Sequence, residues 1–176
     1  RSTCTATISK LHSSIALYLI LGFSLIGDDK TGSKYFRVVA PAISGFGESS
    51  KKKSYKSIKQ MAKSILKCLN LKGIKKFNLL GHSMGGMIVQ EIANIDQKKI
   101  NKLILYSTGA LGSMPGRFEK IDESRRNLKV QGLKKTTNKI FKTWFVKGCY
   151  AKNFYLCEKF SNVVNLNTAD NALIAM

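Results

Sequence analysis

No other ten residues leave this 176-residue chain so few options as Phe77-Asn78-Leu79-Leu80-Gly81-His82-Ser83-Met84-Gly85-Gly86. Phe77–Leu80 is a short apolar run suited to a strand, and Met87, Ile88, Ile92 and Ala93 recur at helical spacing from about Ser83 to Ile95. Between them lies G-x-S-x-G. A strand that hands over to a helix this abruptly bends so sharply that the backbone is strained. The flanking glycines, Gly81, Gly85 and Gly86, let neighbouring chain approach without a Cβ. A serine on such a turn stands above the sheet edge, and the first amides of the helix point at the same spot, where an oxyanion could form. The spacing is not G-x-G-x-x-G, so a dinucleotide-binding turn is excluded here.

The rest of the chain repeats the alternation. Residues 1–14 are polar and irregular, and Ile15 to Leu21 is a continuous apolar run ending at Gly22, as expected of a strand buried on both faces. Tyr35–Ala40 is a second strand, stopped by Pro41 and followed by the turn-rich Ser44–Ser50. Apolar residues then step by three and four from Ile58 to Leu69, giving an amphipathic helix over 55–71 that Gly73 closes. Lys102–Ser107 is a fourth strand. Strands alternating with helices predict an α/β fold, a parallel sheet with helices on both faces. After Pro115 no strand recurs: helices are expected over 118–130 and 133–145, joined at Gly132, then a polar–apolar stretch over 150–164 and another helix from about Thr168. The expected organisation is a core over 1–114 and a helical cap or lid over 115–176. Arg1 at the start, and the apolar Ala172–Ala175 running straight into Met176, read as a fragment whose sheet is incomplete.

Charge is the unusual number: 30 Lys+Arg against 10 Asp+Glu, a formal +20. Lysines are spread along the whole chain and arginines number only five, so the pattern is a solvated lysine coat, not a specific nucleic-acid reader. The run Ile15–Ile26 is interrupted and too short to span a membrane. Four scattered cysteines and two histidines make a disulfide scaffold or a metal site improbable. With no clear leader, the cytoplasm is the default location.

Taken together, LLGHSMGG and its helix, with FRVVAP and SGFGESS upstream and KLILYST downstream, resemble the α/β-hydrolase superfamily over about Ile15–Gly109. Glu123-Ser124-Arg125-Arg126 through Gln131-Gly132-Leu133 to Thr143-Trp144-Phe145 is similar to the cap helices of its enol-lactonase and carboxylesterase-like branch. The resemblance implies a serine hydrolase cleaving a small carboxylic ester or lactone through an acyl-enzyme. Ser83 matches the nucleophile and the Met84 backbone N–H one oxyanion donor. The second donor falls on the Phe23 backbone N–H, in Leu21-Gly22-Phe23, where the family often has His-Gly; Pro41-Ala42-Ile43-Ser44 also lacks the Asp that commonly follows Pro. No cofactor or metal is implied, because acyl transfer through serine needs none.

A serine hydroxyl attacks poorly until a base takes its proton, and that base is nearly always a His oriented by a carboxylate. The family's order is Ser, acid, His, yet no His follows Ser83. His82 adjoins the serine, and a neighbouring side chain in such a turn points away; His12 precedes the first strand. Asp96, Asp122, Glu123, Glu158 and Asp170 fall on helices or in the cap. The chain by itself is therefore expected to be inactive or nearly so. The alternative is a non-catalytic relative that binds a ligand or partner.

Overall fold

A computed structural model describes residues 6–8, 15–20, 37–46, 49–112, 116, 119–143 and 165–176, for 6–8, 15–20 and 37 by their backbone. Five strands form one sheet: β1 (Ala6–Ile8), β2 (Ile15–Ile20), β3 (Arg37–Pro41), β4 (Phe77–His82) and β5 (Ile100–Tyr106), in the spatial order β1-β3-β2-β4-β5. The expected parallel sheet is present in β3-β2-β4-β5. It carries one addition: Ala6–Ile8, within a segment expected to be irregular, pairs antiparallel with β3. Three residues are too few for a periodic signal; only the exposed edge of β3 makes them a strand. Pro41 closes β3 inside the ladder, opposite Ala6.

Helix α1 (Ile58–Leu71) starts where Ser57 accepts a hydrogen bond from the Gln60 amide, which satisfies one of the free donors of the first turn. It ends at Lys72, followed by Gly73 with φ +70°, a left-handed stop that suits glycine. Its apolar face (Met61, Ala62, Ile65, Leu66, Leu69) is buried, and Lys59, Lys63 and Lys67 line the solvent side. Helix α2 (Met84–Asp96) is apolar along most of its length and buries Met87, Ile88, Val89 and Ile92. The crossovers β3–α1–β4 and β4–α2–β5 advance in the same direction across the sheet, so right-handed connections place both helices on one face. There they pack with Val39, Phe77 and Leu79 into a single core. Each wholly buried large side chain in it contributes about 2 kcal/mol.

Beyond β5, α3 (Ile121–Gln131) and α4 (Leu133–Lys142) are joined at Gly132, as the sequence predicts, and α5 (Leu166–Ala175) begins two residues before Thr168. The expected segment 150–164 lies outside the described residues. Arg125 on α3 forms a bidentate pair with Asp170 on α5, at 2.7 and 3.3 Å. Glu119, buried before α3, accepts from Ser124 (2.6 Å), Asn127 (2.7 Å) and Lys139 of α4. Helix α5 also reaches the core region: Asn171 donates to Ser54 Oγ at 2.7 Å, and the Gly112 amide donates to the Met176 carbonyl at 3.2 Å. No described helix is long and apolar enough to cross a membrane. Cys68 on α1 is disulfide-bonded. Cysteine spacing along a chain does not report proximity in the fold.

Candidate active site

The strand order reverses beside β2: the chain goes from β2 outward to β3, then crosses back to β4 on the other side. Open α/β sheets place ligands outside the carboxyl ends of the strands at such a reversal. Ser83 stands there. Ile20, the last residue of β2, is in register with His82, so the end of β2 lies beside the residue that precedes the serine. Phe23 itself lies outside the described residues.

Ser83 has φ 53° and ψ −128°, a conformation that costs a non-glycine residue roughly 1–3 kcal/mol and persists only where its surroundings impose it. They do so from every side. The Ser83 amide donates to the Tyr106 carbonyl at 3.3 Å, and the Ser83 carbonyl accepts from the Gly86 and Met87 amides at 2.9 and 3.3 Å. Thr108 Oγ1 adds a third bond to that carbonyl, at 2.6 Å. Glycine is needed on both flanks. A Cβ on Gly81 would lie 2.5 Å from Val89 Cγ2 and 2.6 Å from the Gly85 carbonyl oxygen, and one on Gly86 would lie 2.4 Å from Thr108. The sharp bend expected from G-x-S-x-G is therefore built by close approach of β4, α2 and the end of β5.

The serine side chain is exposed and makes no capping bond to its own helix. Met84 is the first residue of α2, and its N–H has no backbone partner among the described residues, which leaves it available to an incoming oxyanion. His82, by contrast, is half-buried, with its ring 5.4 Å from that of Tyr106. It packs on β5 and makes no hydrogen bond to Ser83 among the described residues. His12 and Glu158 lie outside them. The remaining candidate acids are committed elsewhere or solvated: Asp96 pairs with Lys99 at 2.7 Å, Asp170 with Arg125, and Asp122 and Glu123 are exposed on α3. The described residues thus bring together Ser83, the Met84 amide and the end of β2, without a histidine–carboxylate pair.

Sequence reasoning missed the brace around the turn. Besides Thr108, Gln90 Nε2 donates to the carbonyls of Gly86 and Gly109, at 3.1 Å each. Ser107 adopts φ 44° just before Thr108, turning the chain back over the elbow. Polar, small Ser107-Thr108-Gly109 at the end of an apolar strand was the available signal.

The family model described as "alpha/beta hydrolase fold" matches residues 28–146. The chain belongs to the alpha/beta hydrolase family. Its fold resembles that of the enol-lactonase from Burkholderia xenovorans LB400, with TM-score 0.82 and 19% identity over 98% of this chain and 69% of that one. A hydrolase from Pseudomonas aeruginosa PA01 superposes with TM-score 0.79 at 21% identity, over 97% of this chain and 66% of the other. In sequence, the chain is 30% identical over 107 residues to an uncharacterised Mycobacterium bovis protein, covering 56% of this chain and 30% of that protein. This alpha/beta hydrolase chain therefore spans less than a third of that relative's length. A dihydrolipoyllysine-residue acetyltransferase component of the acetoin cleaving system of Pseudomonas putida is 32% identical over 76 residues, 43% of this chain and 20% of the other.

Proposed function

We propose that Ser83 is the nucleophile of a serine hydrolase acting on small carboxylic esters or lactones. The observation that carries this reading is the strained backbone of Ser83, held by four hydrogen bonds at a strand-to-helix turn with its hydroxyl exposed. In this reading Ser83 Oγ attacks the acyl carbon, its proton passes to a base, and negative charge gathers on the former carbonyl oxygen. The Met84 amide, at the positive end of α2, donates a hydrogen bond to that oxygen, with the Phe23 amide as second donor. Collapse expels the alkoxide, which takes up the proton. Water then attacks the acyl-serine and returns the hydroxyl, releasing the acid. The likeness to an enol-lactonase and to a thermophilic esterase from Thermogutta terrifontis favours esters and lactones among the possible acyl donors.

A second reading, a non-catalytic relative that binds a ligand at the same end of the sheet, is favoured by one observation. Among the described residues no histidine or carboxylate hydrogen-bonds Ser83. One experiment separates the two. The chain is incubated with 4-nitrophenyl acetate, with and without imidazole as an external base, and the Ser83 peptide is read by mass spectrometry. The hydrolase reading expects an acetyl group on Ser83 that imidazole increases and Ser83→Ala abolishes. Acetylation confined to lysines, unchanged in Ser83→Ala, favours the binding reading.

A further inference from the structure

In a parallel β/α layout every helix C-terminus and every strand N-terminus gathers at one end of the sheet. Here that end is opposite Ser83. Among the described residues it is formed by the last turn of α1, the turn 72–76 before β4, the last turn of α2 and residues 97–99 before β5. Lys72, Lys75, Lys76, Lys98 and Lys99 all lie on these short segments, and Lys67 stands on α1 just before its last turn. Asp96 is their one acid, and Lys99 already binds it at 2.7 Å while donating to Asn70 at 3.0 Å. The other five lysines make no ion pair among the described residues. The negative ends of α1 and α2 explain cations close to the last turn. They do not explain Lys75 and Lys76, which lie beyond it.

Apolar residues stand among these charges. Leu71 is 70% exposed and Ile95 38% exposed. Both line one groove of about 470 Å³ between the ends of α1 and α2, with Lys63, Lys67 and Lys99 at its rim. A leucine left this open, on the same helix end as Lys67 and Lys72, which make no ion pair among the described residues, matches a surface that is anionic outside and apolar just beneath. It does not match a nucleic acid, because no arginine fork or exposed aromatic ring stands among these segments to read or stack bases.

We propose that this end of the molecule docks on an anionic lipid surface, with the lysines against the headgroups and Leu71 in the boundary below them. A cluster of lysines near such a surface is attracted within a Debye length, and each is worth roughly fivefold in partitioning. Docking in this orientation turns the Ser83 end toward water, so the substrate reaches that end from solution.

The test is co-sedimentation of the chain with vesicles of phosphatidylcholine, with and without phosphatidylglycerol. Binding is expected only to the mixed vesicles, with loss at high salt. The pair Lys75→Gln/Lys76→Gln lowers partitioning roughly 25-fold, and Leu71→Ser lowers it roughly tenfold. The pair Lys134→Gln/Lys135→Gln, exposed on α4, changes it by less than roughly twofold, since these lysines face water. Thermal unfolding of each variant checks that it is folded. Three results overturn the proposal: no preference for the anionic vesicles, an equal loss from the α4 pair, or binding to a short DNA duplex that outcompetes the vesicles and ignores Leu71→Ser.

Discussion

Gly81→Ala tests how the serine turn is built. The new methyl carbon would sit 2.5 Å from Val89 Cγ2, 2.6 Å from the Gly85 carbonyl oxygen and 2.7 Å from Gly86 Cα. Contacts below 3.0 Å do not persist, so something must move. Val89 is a side chain on α2 and can be shortened; the other two atoms are backbone, held by the bonds that fix Ser83. Overpacking of a close-packed core costs about 1–3 kcal/mol. With two of three obstacles rigid, the expected loss lies at the upper end, about 3 kcal/mol, a large share of a total stability of about 5–15 kcal/mol. For a domain of this length that lowers Tm by about 6–12 °C. Gly73→Ala is the control: nothing lies within 4 Å of its Cβ position, and only its φ of +70° is strained, at about 1 kcal/mol. The assay is urea unfolding of Gly81→Ala, Gly73→Ala, Val89→Ala and the double variant Gly81→Ala/Val89→Ala. If backbone is the obstacle, the double variant is no more stable than Gly81→Ala. Recovery of most of the lost stability in the double variant would refute the argument and make the Val89 side chain the sole constraint.

Other substitutions probe neighbouring features. Thr108→Val keeps the shape but removes the hydroxyl that bonds the Ser83 carbonyl; because that carbonyl keeps two amide donors, the expected cost is about 1 kcal/mol, and a loss above about 3 kcal/mol in urea titration contradicts it. Acid should unfold the α3–α5 region early. Burial alone would raise the Glu119 carboxyl, but Lys139, Ser124 and Asn127 outweigh it and hold it below its ordinary 4.5. The Arg125 guanidinium holds Asp170 below its ordinary 3.8. Both groups titrate lower folded than unfolded, so their contribution is complete above these ordinary values and is lost as pH falls through the folded ones. Tm should therefore drop below about pH 4.5, less steeply in Glu119→Gln; a Tm that rises there is the contrary result. Finally, among the described residues β5 is the last strand in the sheet order, and Ile104 and Tyr106 are exposed on it. An open apolar edge invites pairing with other chains, so Ile104→Lys should reduce light scattering of concentrated protein, and unchanged scattering argues against edge pairing.

Much of the site could be read from neighbours in sequence. Strand, G-x-S-x-G and helix occupy one continuous stretch, and the sterics of a bend between them operate over a few residues. The tight turn at Ser83, the helix from Met84 and the left-handed stop at Gly73 were accordingly legible beforehand. So were the gross positions of α1 and of α3 with its Gly132 joint, because periodicity and glycine placement are local signals. The absence of a histidine after Ser83 was equally plain, since it needs only a reading of residue types.

Contacts between distant segments were not legible. Nothing near Ala6–Ile8 announces a strand; the open hydrogen-bonding edge of β3 makes it one. Thr108 and Gln90 brace the turn from positions with no motif of their own, and Gly86 is needed because Thr108, twenty-two residues later, fills the space of its Cβ. The disulfide at Cys68 and the gathering of lysines at one end of the sheet likewise depend on how strands are ordered. Local backbone preference acts through sterics within a few residues and is written in the chain. Which edges pair and which side chains meet is settled by competition among all segments for burial and hydrogen bonds, and only the assembled tertiary structure resolves it.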